Sequence, residues 1–289
     1  MSKSAFHNKL LPYGLLAPTF SILIVFLFYP AYETFRLSFY KVHPFSGAAK
    51  FAGFYNFQKI FTNPVYLKSF GLSAIFAVGV VIVGLILSLL LALLLNQKMK
   101  GASIYRSLII WPYALSPAIA GALFNFLFNP ANGLAIYFTG VRTWLTDSNL
   151  ALFIIILAAT WKNLGYNVVF YLTSLRNVPK DALEAAELDG AGPIKRFFSI
   201  TFTFLSPTTF FLLVMNTIYA YFASFGLIDV LTEGGPANAT NILIYQLYKD
   251  FFVNSRIGYA AAESLMLFMV VVLLTMIQFK TTEKKVFYQ

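Results

Sequence analysis

Residues 69–96 read SFGLSAIFAVGVVIVGLILSLLLALLLN, from Ser69 to Asn96, without one charged side chain. A helix advances about 1.5 Å per residue, so about 20 apolar residues cross the roughly 30 Å of bilayer hydrocarbon. This run is long enough by itself. Barrel strands would be about 9–11 residues of strict alternation, and here the apolar residues follow one another continuously. Outward from this run the same pattern recurs. Spans are expected over 11–32, 69–96, 104–128, 149–175, 200–228 and 259–280. The chain is 59% hydrophobic and only 11% charged, against about 25% charged in a soluble domain. It therefore reads as one transmembrane domain over residues 1–289, all-α, with six membrane helices.

Composition excludes several chemistries. There is no cysteine, so disulfides, thiolate catalysis and Cys-bound metal are ruled out. His7 and His43 stand far apart, which argues against a metal site. The net charge of +10 would suggest nucleic acid in a soluble protein. Here most of the excess sits on loops, where lysine and arginine orient helices in the bilayer. Lys3 and Lys9 precede an apolar run from Leu10 to Tyr32, which is longer than the roughly 7–15-residue core of a signal peptide. An uncleaved first span is expected.

With both termini inside, the larger share of basic residues falls inside, including Lys98, Lys100, Arg106, Arg176, Lys180, Lys195, Arg196, Lys284 and Lys285. The first outer loop, with Arg36, Lys41, Lys50, Lys59 and Lys68, runs against this bias. The loops carry turn signals at Pro44, Gly47, Asn129-Pro130 and Gly234-Gly235-Pro236. No internal repeat is evident, which disfavours folds of two inverted halves.

Between the fourth and fifth runs lies a short polar stretch, 179–200, that this orientation places inside. Pro179 suits the first turn of a helix, and Lys180 to Asp189 are acceptable helix formers of about three turns, roughly 16 Å. Asp181 and Glu184 lie early, at the positive end of the helix dipole, and Gly190 is placed to stop the helix. Ala182, Ala185 and Ala186 keep it slim enough for a groove on a partner. An ordinary interfacial loop helix is the other reading. Gly192-Pro193 then starts a helix that feeds the fifth span.

This stretch resembles the signature of permease subunits of bacterial ATP-binding-cassette importers. The matching residues are Glu184, Ala185, Ala186, Asp189, Gly190, Ala191, Gly192 and, after a gap of eight residues from Ala191, Ile200. The family continues with Leu and Pro where this chain has Phe202 and Thr203, a departure that bears on the bend at the start of the fifth span. Asp229 to Thr240, which contains Thr232 to Pro236, is similar to the fifth loop of carbohydrate-uptake permeases. Leu11-Pro12-Tyr13, Phe126 to Pro130, Gly192 to Phe198, Leu243-Ile244-Tyr245 and the tail Glu283 to Gln289 resemble the permeases of sn-glycerol-3-phosphate importers.

The resemblance implies the type I importer permease architecture, with a coupling helix seated in an ATPase cleft. It implies a second homologous permease, two copies of a cytoplasmic ATP-binding subunit, a periplasmic substrate-binding protein and a bacterial inner-membrane location in contact with lipid. It implies no cofactor on this chain, with ATP and Mg on the partner ATPase subunits, and no nucleic acid. A neutral sugar or oligosaccharide is the alternative cargo.

The residues agree with a non-enzymatic subunit. No Gly-x-x-x-x-Gly-Lys-Ser/Thr loop, His-Glu-x-x-His or Gly-x-Ser-x-Gly occurs. A membrane enzyme would need a cluster of His, Asp or Glu. An ion-coupled secondary transporter would need ionisable groups near the midplane, where only Lys162 stands. A structural subunit without transport is the remaining rival. Lys162 would attract an anionic phosphate or, on the plainer reading, make a structural pair or snorkel. Asn163 and Asn167 share a helix face, and Asn216, Tyr219 and Tyr221 place polar groups on the fifth span. These are pathway candidates, or hydrogen bonds between helices. Glu263, near the start of the last span, is expected to reach the interface.

Overall fold

The computed structural model describes residues 11–282 apart from 45, 98 and 99. His7, Lys3, Lys9, Lys98, Lys284, Lys285 and the matching tail from Glu283 on lie outside the described residues. In chain order the elements are α1 (Tyr13–Ser38), β1 (Tyr40–Val42), β2 (Ala49–Phe51), α2 (Tyr55–Thr62) and α3 (Pro64–Leu95). α4 (Ala102–Ala114), α5 (Pro117–Phe128), α6 (Leu134–Thr139), α7 (Ser148–Arg176) and α8 (Lys180–Leu188) follow. α9 (Pro193–Ala223), α10 (Phe225–Leu231), α11 (Leu243–Tyr248) and α12 (Ile257–Thr282) complete the chain.

Five of these helices are long and apolar enough to cross a membrane: α1, α3, α7, α9 and α12. The expected third span, 104–128, is not one helix. α4 and α5 meet at 104°. The cause is local. Leu115 and Ser116 are extended, with ψ 147° and 154°, and Ser116, which precedes Pro117, is kept out of the helical region by the proline ring. Pro117 then opens α5, and Ser116 Oγ accepts from Ile119 N at 3.3 Å as its cap. The two pieces make a sixth span only if the broken pair counts as one.

Two compact units account for the chain, one of residues up to Asn63 with Leu247–Met266, the other of Pro64–Gln246 with the segment from Leu267 on. In the first, α1 runs to Ser38, beyond the expected end at residue 32, through a π turn at Ile24–Phe28. β1 and β2 form an antiparallel ribbon that sequence reading missed, with Lys41 opposite Lys50. Its strands are three residues each, too short to register as alternation. Asn56 Nδ2 donates to Ser38 O at 2.8 Å and Tyr40 O at 3.0 Å, fixing α2 to the end of α1 and to the ribbon. Phe39 packs its ring against Phe35, Phe54 and Phe57.

The second unit is built around α7. Asp147 caps it, accepting from Asn149 N and Leu150 N at 2.9 Å each. α7 packs against α3, α4, α5, α9 and α10. Its core contacts join Val168, Tyr171, Leu172 and Leu175 to Ala92 and Leu95 of α3 and Leu205 and Leu212 of α9. Gly165 permits the closest approach: a Cβ there would lie 2.7 Å from Ile109 O and from Ile110 Cα of α4. Arg106 Nη2 donates to Leu95 O at 2.9 Å, placing a cation at the negative end of α3.

α9 begins at Pro193, not at 200, and stays continuous past Phe202 and Thr203. A π turn at Phe197–Thr201 takes the place of any proline bend there. α9 stops at Ala223, and the rest of the run expected to reach 228 belongs to the separate α10.

Candidate coupling element and polar helix interface

α8 is nine residues, shorter than the expected helix to Asp189. Pro179 is extended, with ψ 124°, so it precedes the helix and does not fill its first turn. The C-terminal end explains why the motif has its residue types. Gly190 sits at φ +77°, a left-handed position that costs other L-residues about 1–2 kcal/mol. Gly190 N donates to Glu187 O at 3.0 Å and Ala191 N to Ala186 O at 2.9 Å. These are the paired bonds of a Schellman turn. Ala186 and Ala191 are therefore its small, half-buried closing residues, and Asp189 is the helix C-cap.

Glu184, Ala185, Asp189, Gly190 and Gly192 are exposed, and no residue of α8 is buried. Glu187 pairs with Arg196, bracing α8 against the start of α9. Leu188 is 90% exposed, and Ile194 and Phe198 are bare as well. Ile194, Phe198, Gly192, Pro193, Lys195 and Ser199 line an open concavity of about 510 Å³. A helix with a rigid stop and an apolar rim left uncovered has the form of a docking element.

The polar residues of the spans fall into two groups. Asn163, Asn167 and Asn216 are buried together. Asn216 Oδ1 accepts from Asn163 Nδ2 at 2.6 Å and from Asn167 Nδ2 at 3.2 Å. Asn216 Nδ2 donates to Asn167 Oδ1 at 2.8 Å and to Leu212 O at 2.7 Å. The amides of α7 and α9 thus spend their capacity on one another.

Lys162 and Tyr219 differ. Lys162 is 6% exposed, and no carboxylate pairs with it among the described residues. Its Nζ lies 5.2 Å from the centre of the Tyr113 ring and 5.7 Å from that of Tyr219, within cation–π range. The Tyr219 hydroxyl is buried without a hydrogen-bond partner. Tyr113 stacks on Tyr166 at 5.3 Å. An amine held by ring faces and a phenol hydroxyl with no hydrogen-bond partner among the described residues therefore share an aromatic-walled locus. Sequence reading missed Tyr113. The only signal was its place beside the helix break, in Trp111-Pro112-Tyr113.

Tyr221 is buried but joins neither group. Glu263 does not reach an interface: it is 1% exposed. A second concavity of about 300 Å³ lies between Asn125, Asn129, Thr146, Thr232, Glu233 and Pro236. Its floor is pinned by Thr240 Oγ1 on Thr232 Oγ1 at 2.7 Å and on Gly235 O at 2.6 Å. No group of three or more His, Cys, Asp or Glu able to hold a metal occurs among the described residues.

The chain belongs to the family of binding-protein-dependent transport system inner membrane components, whose sequence profile matches residues 84–287. It is thus a permease subunit of an ATP-binding-cassette importer and a multi-pass protein of the inner membrane, as the resemblance implied. It is 42% identical over 292 residues to the sn-glycerol-3-phosphate transport system permease protein UgpA of Rhizobium meliloti (strain 1021), with both chains covered in full. To the protein of the same name from Pectobacterium atrosepticum it is 41% identical, covering 100% of this chain and 99% of that one. In fold it is similar to a chain of a bacterial ABC transporter involved in the import of the acidic polysaccharide alginate. The TM-score is 0.81 at 20% identity, with 95% of each chain covered. That transporter in complex with an alginate pentasaccharide-bound periplasmic protein gives 0.80 at 20% identity.

Proposed function

We propose that this chain forms half of the translocation pathway of an importer for sn-glycerol 3-phosphate or its diesters. It does so as a non-catalytic subunit, one transmembrane domain with both termini in the cytoplasm. A second, homologous permease forms the other half. Two ATP-binding subunits, which hold ATP and Mg, seat the coupling helices, and a periplasmic protein delivers the cargo. α8, with Glu184 and Ala185 presented to solvent and the Gly190 turn behind them, is the element that docks on the ATPase. ATP binding there favours one of two packings of the helices, and the pathway opens alternately to each side.

The observation that carries the phosphate reading is the locus of Lys162, Tyr113 and Tyr219. A basic side chain held inside a span is costly, and among the described residues no carboxylate pairs with it. A phosphate passing between the helices meets the amine and the free Tyr219 hydroxyl, while the rings keep the site narrow. The full-length likeness to sn-glycerol-3-phosphate permeases supports the same cargo. The asparagine triad, by contrast, serves as a lock between α7 and α9.

The test is uptake by the whole transporter in proteoliposomes. Lys162→Gln is expected to raise the KM for sn-glycerol 3-phosphate at least about tenfold, the loss of one charge-assisted contact of about 1.4 kcal/mol or more, with substrate-stimulated ATP hydrolysis retained at saturation. Equal uptake by the variant and the parent protein would assign Lys162 a structural role. Uptake of a neutral sugar in place of the phosphate would replace the cargo and leave the permease assignment standing.

A further inference from the structure

The basic residues of the first loop run against the charge bias that orients the chain, and neither the Lys162 locus nor α8 includes them. Two of the five are accounted for. Arg36 pairs with Glu33, and Lys68 Nζ donates to Ala237 O at 3.0 Å. Lys41, Lys50 and Lys59 are exposed, and no carboxylate pairs with them among the described residues. Residues 39–63 contain no Asp or Glu at all. Lys41 and Lys50 face each other directly across the ribbon, an arrangement of like charges that weakens it. Lys41 Nζ and Lys59 Nζ also flank the Tyr55 ring, at 5.1 and 5.2 Å from its centre. A hydrogen bond from Lys59, with the nearby charge of Lys41, holds the Tyr55 phenol below its ordinary range. The fold therefore sets two cations at one ring, with a third, Lys50, across the ribbon from Lys41, and no carboxylate pairs with them among the described residues.

Three phenylalanines stand bare in the same segment: Phe51 and Phe54 at 67% exposed and Phe61 at 60%. In open water they gain nothing, whereas aromatic rings beside lysines are what the boundary of a bilayer favours. The position of the segment agrees. It joins the end of α1 at Ser38 to the start of α3 at Pro64. Asn63 Nδ2 donates to Tyr259 OH at 3.0 Å, in the first turn of α12. The segment thus sits at the end of α1 and against the first turn of α12.

We propose that the ribbon and α2 form a docking surface for anionic phospholipid headgroups. Lys41, Lys50 and Lys59 receive the phosphates, and Phe51, Phe54 and Phe61 enter the acyl boundary beside them. Charge complementarity names the anion, and the bare rings at a span boundary name lipid as its source. An acidic protein or a free phosphate accounts for the lysines and leaves the rings unexplained.

The full-length chain, purified in mild detergent with the subunits that accompany it, is titrated with phosphatidylglycerol or phosphatidylcholine, and bound lipid is counted by native mass spectrometry. Phosphatidylglycerol is expected to bind the more tightly. Its affinity should fall about fivefold for each lysine lost in K41Q/K50Q/K59Q, with phosphatidylcholine unaffected and K41R/K50R/K59R close to the parent. Should the glutamine variant fail to fold, raising the salt on the parent protein must weaken phosphatidylglycerol selectively. An unchanged preference in the glutamine variant or at high salt overturns the proposal. So does displacement of phosphatidylglycerol by millimolar free sn-glycerol 3-phosphate, or loss of a bound soluble protein with lipid binding intact.

Discussion

Asn216 is joined to Asn163 and Asn167, at separations of 53 and 49 residues, and all three side chains are buried. Asn216→Ala removes the shared acceptor and the donor to Asn167 and leaves two amides inside the bundle without their partner. Side-chain hydrogen bonds between membrane helices average about 0.6 kcal/mol, so the three lost bonds predict about 1–2 kcal/mol of destabilisation in the detergent-purified protein. A double-mutant cycle with Asn167→Ala isolates the pair, and the expected coupling is at least about 0.6 kcal/mol. Unchanged stability together with a raised KM would instead make these amides part of the substrate path. The sequence showed that Asn163 and Asn167 share a face, because i and i+4 always do on a helix. It gave no means of pairing them with Asn216, because that partner is set by how α7 and α9 pack. Glu263 was misjudged for the same reason. Its place near the helix start suggested an exposed position, yet it is 1% exposed.

Local chemistry decided more at the level of elements than apolar length did. The run 104–128 is apolar enough to be taken for one span, yet Ser116-Pro117 is a helix start in plain sight, a capping serine ahead of a first-turn proline. Length obscured a break that turn chemistry specifies. The helix at 180–188 and its glycine stop were legible for the opposite reason, because the turn at Gly190 is made by local backbone bonds. Only the role of Pro179 and the last helical residue were misplaced. That locality makes a clean test. Gly190→Val forces a β-branched residue into φ +77°, costing about 1–2 kcal/mol within the turn. It is expected to lower uptake severalfold while expression and binding of the periplasmic protein hold, with ATP hydrolysis no longer answering to substrate. Gly190→Asn, which tolerates the left-handed region, should keep most of the coupling. Equal losses in the two variants would show that space around Gly190, not backbone conformation, matters.

Burial is distributed unequally over the whole molecule. In α7, 56% of the most apolar window is buried within the chain, in α3 and α12 33%, in α9 17%, and in α1 none. Hydropathy alone could not rank them, since it scores lipid contact and protein contact alike. The ranking makes α7 the helix on which polar residues meet protein, and leaves the most apolar window of α1 with no buried residue. The direction in which the bundle crosses the membrane is a separate property, resting on the lysine and arginine bias and on the coupling role proposed for α8, and it can be measured directly. The chain has no cysteine, so single cysteines report without background. Leu188, 90% exposed beside the coupling turn, and Ala237, exposed in the loop between α10 and α11, should lie on opposite sides. An impermeant maleimide applied to intact spheroplasts is expected to label Ala237→Cys and spare Leu188→Cys, and inverted vesicles should give the reverse. Adding the ATP-binding subunits to the vesicles should then protect Leu188→Cys. Labelling of Leu188→Cys from the outer face would invert the bundle and remove α8 from the reach of any cytoplasmic ATPase. Correct sidedness without protection would keep the topology and move the docking site away from Leu188.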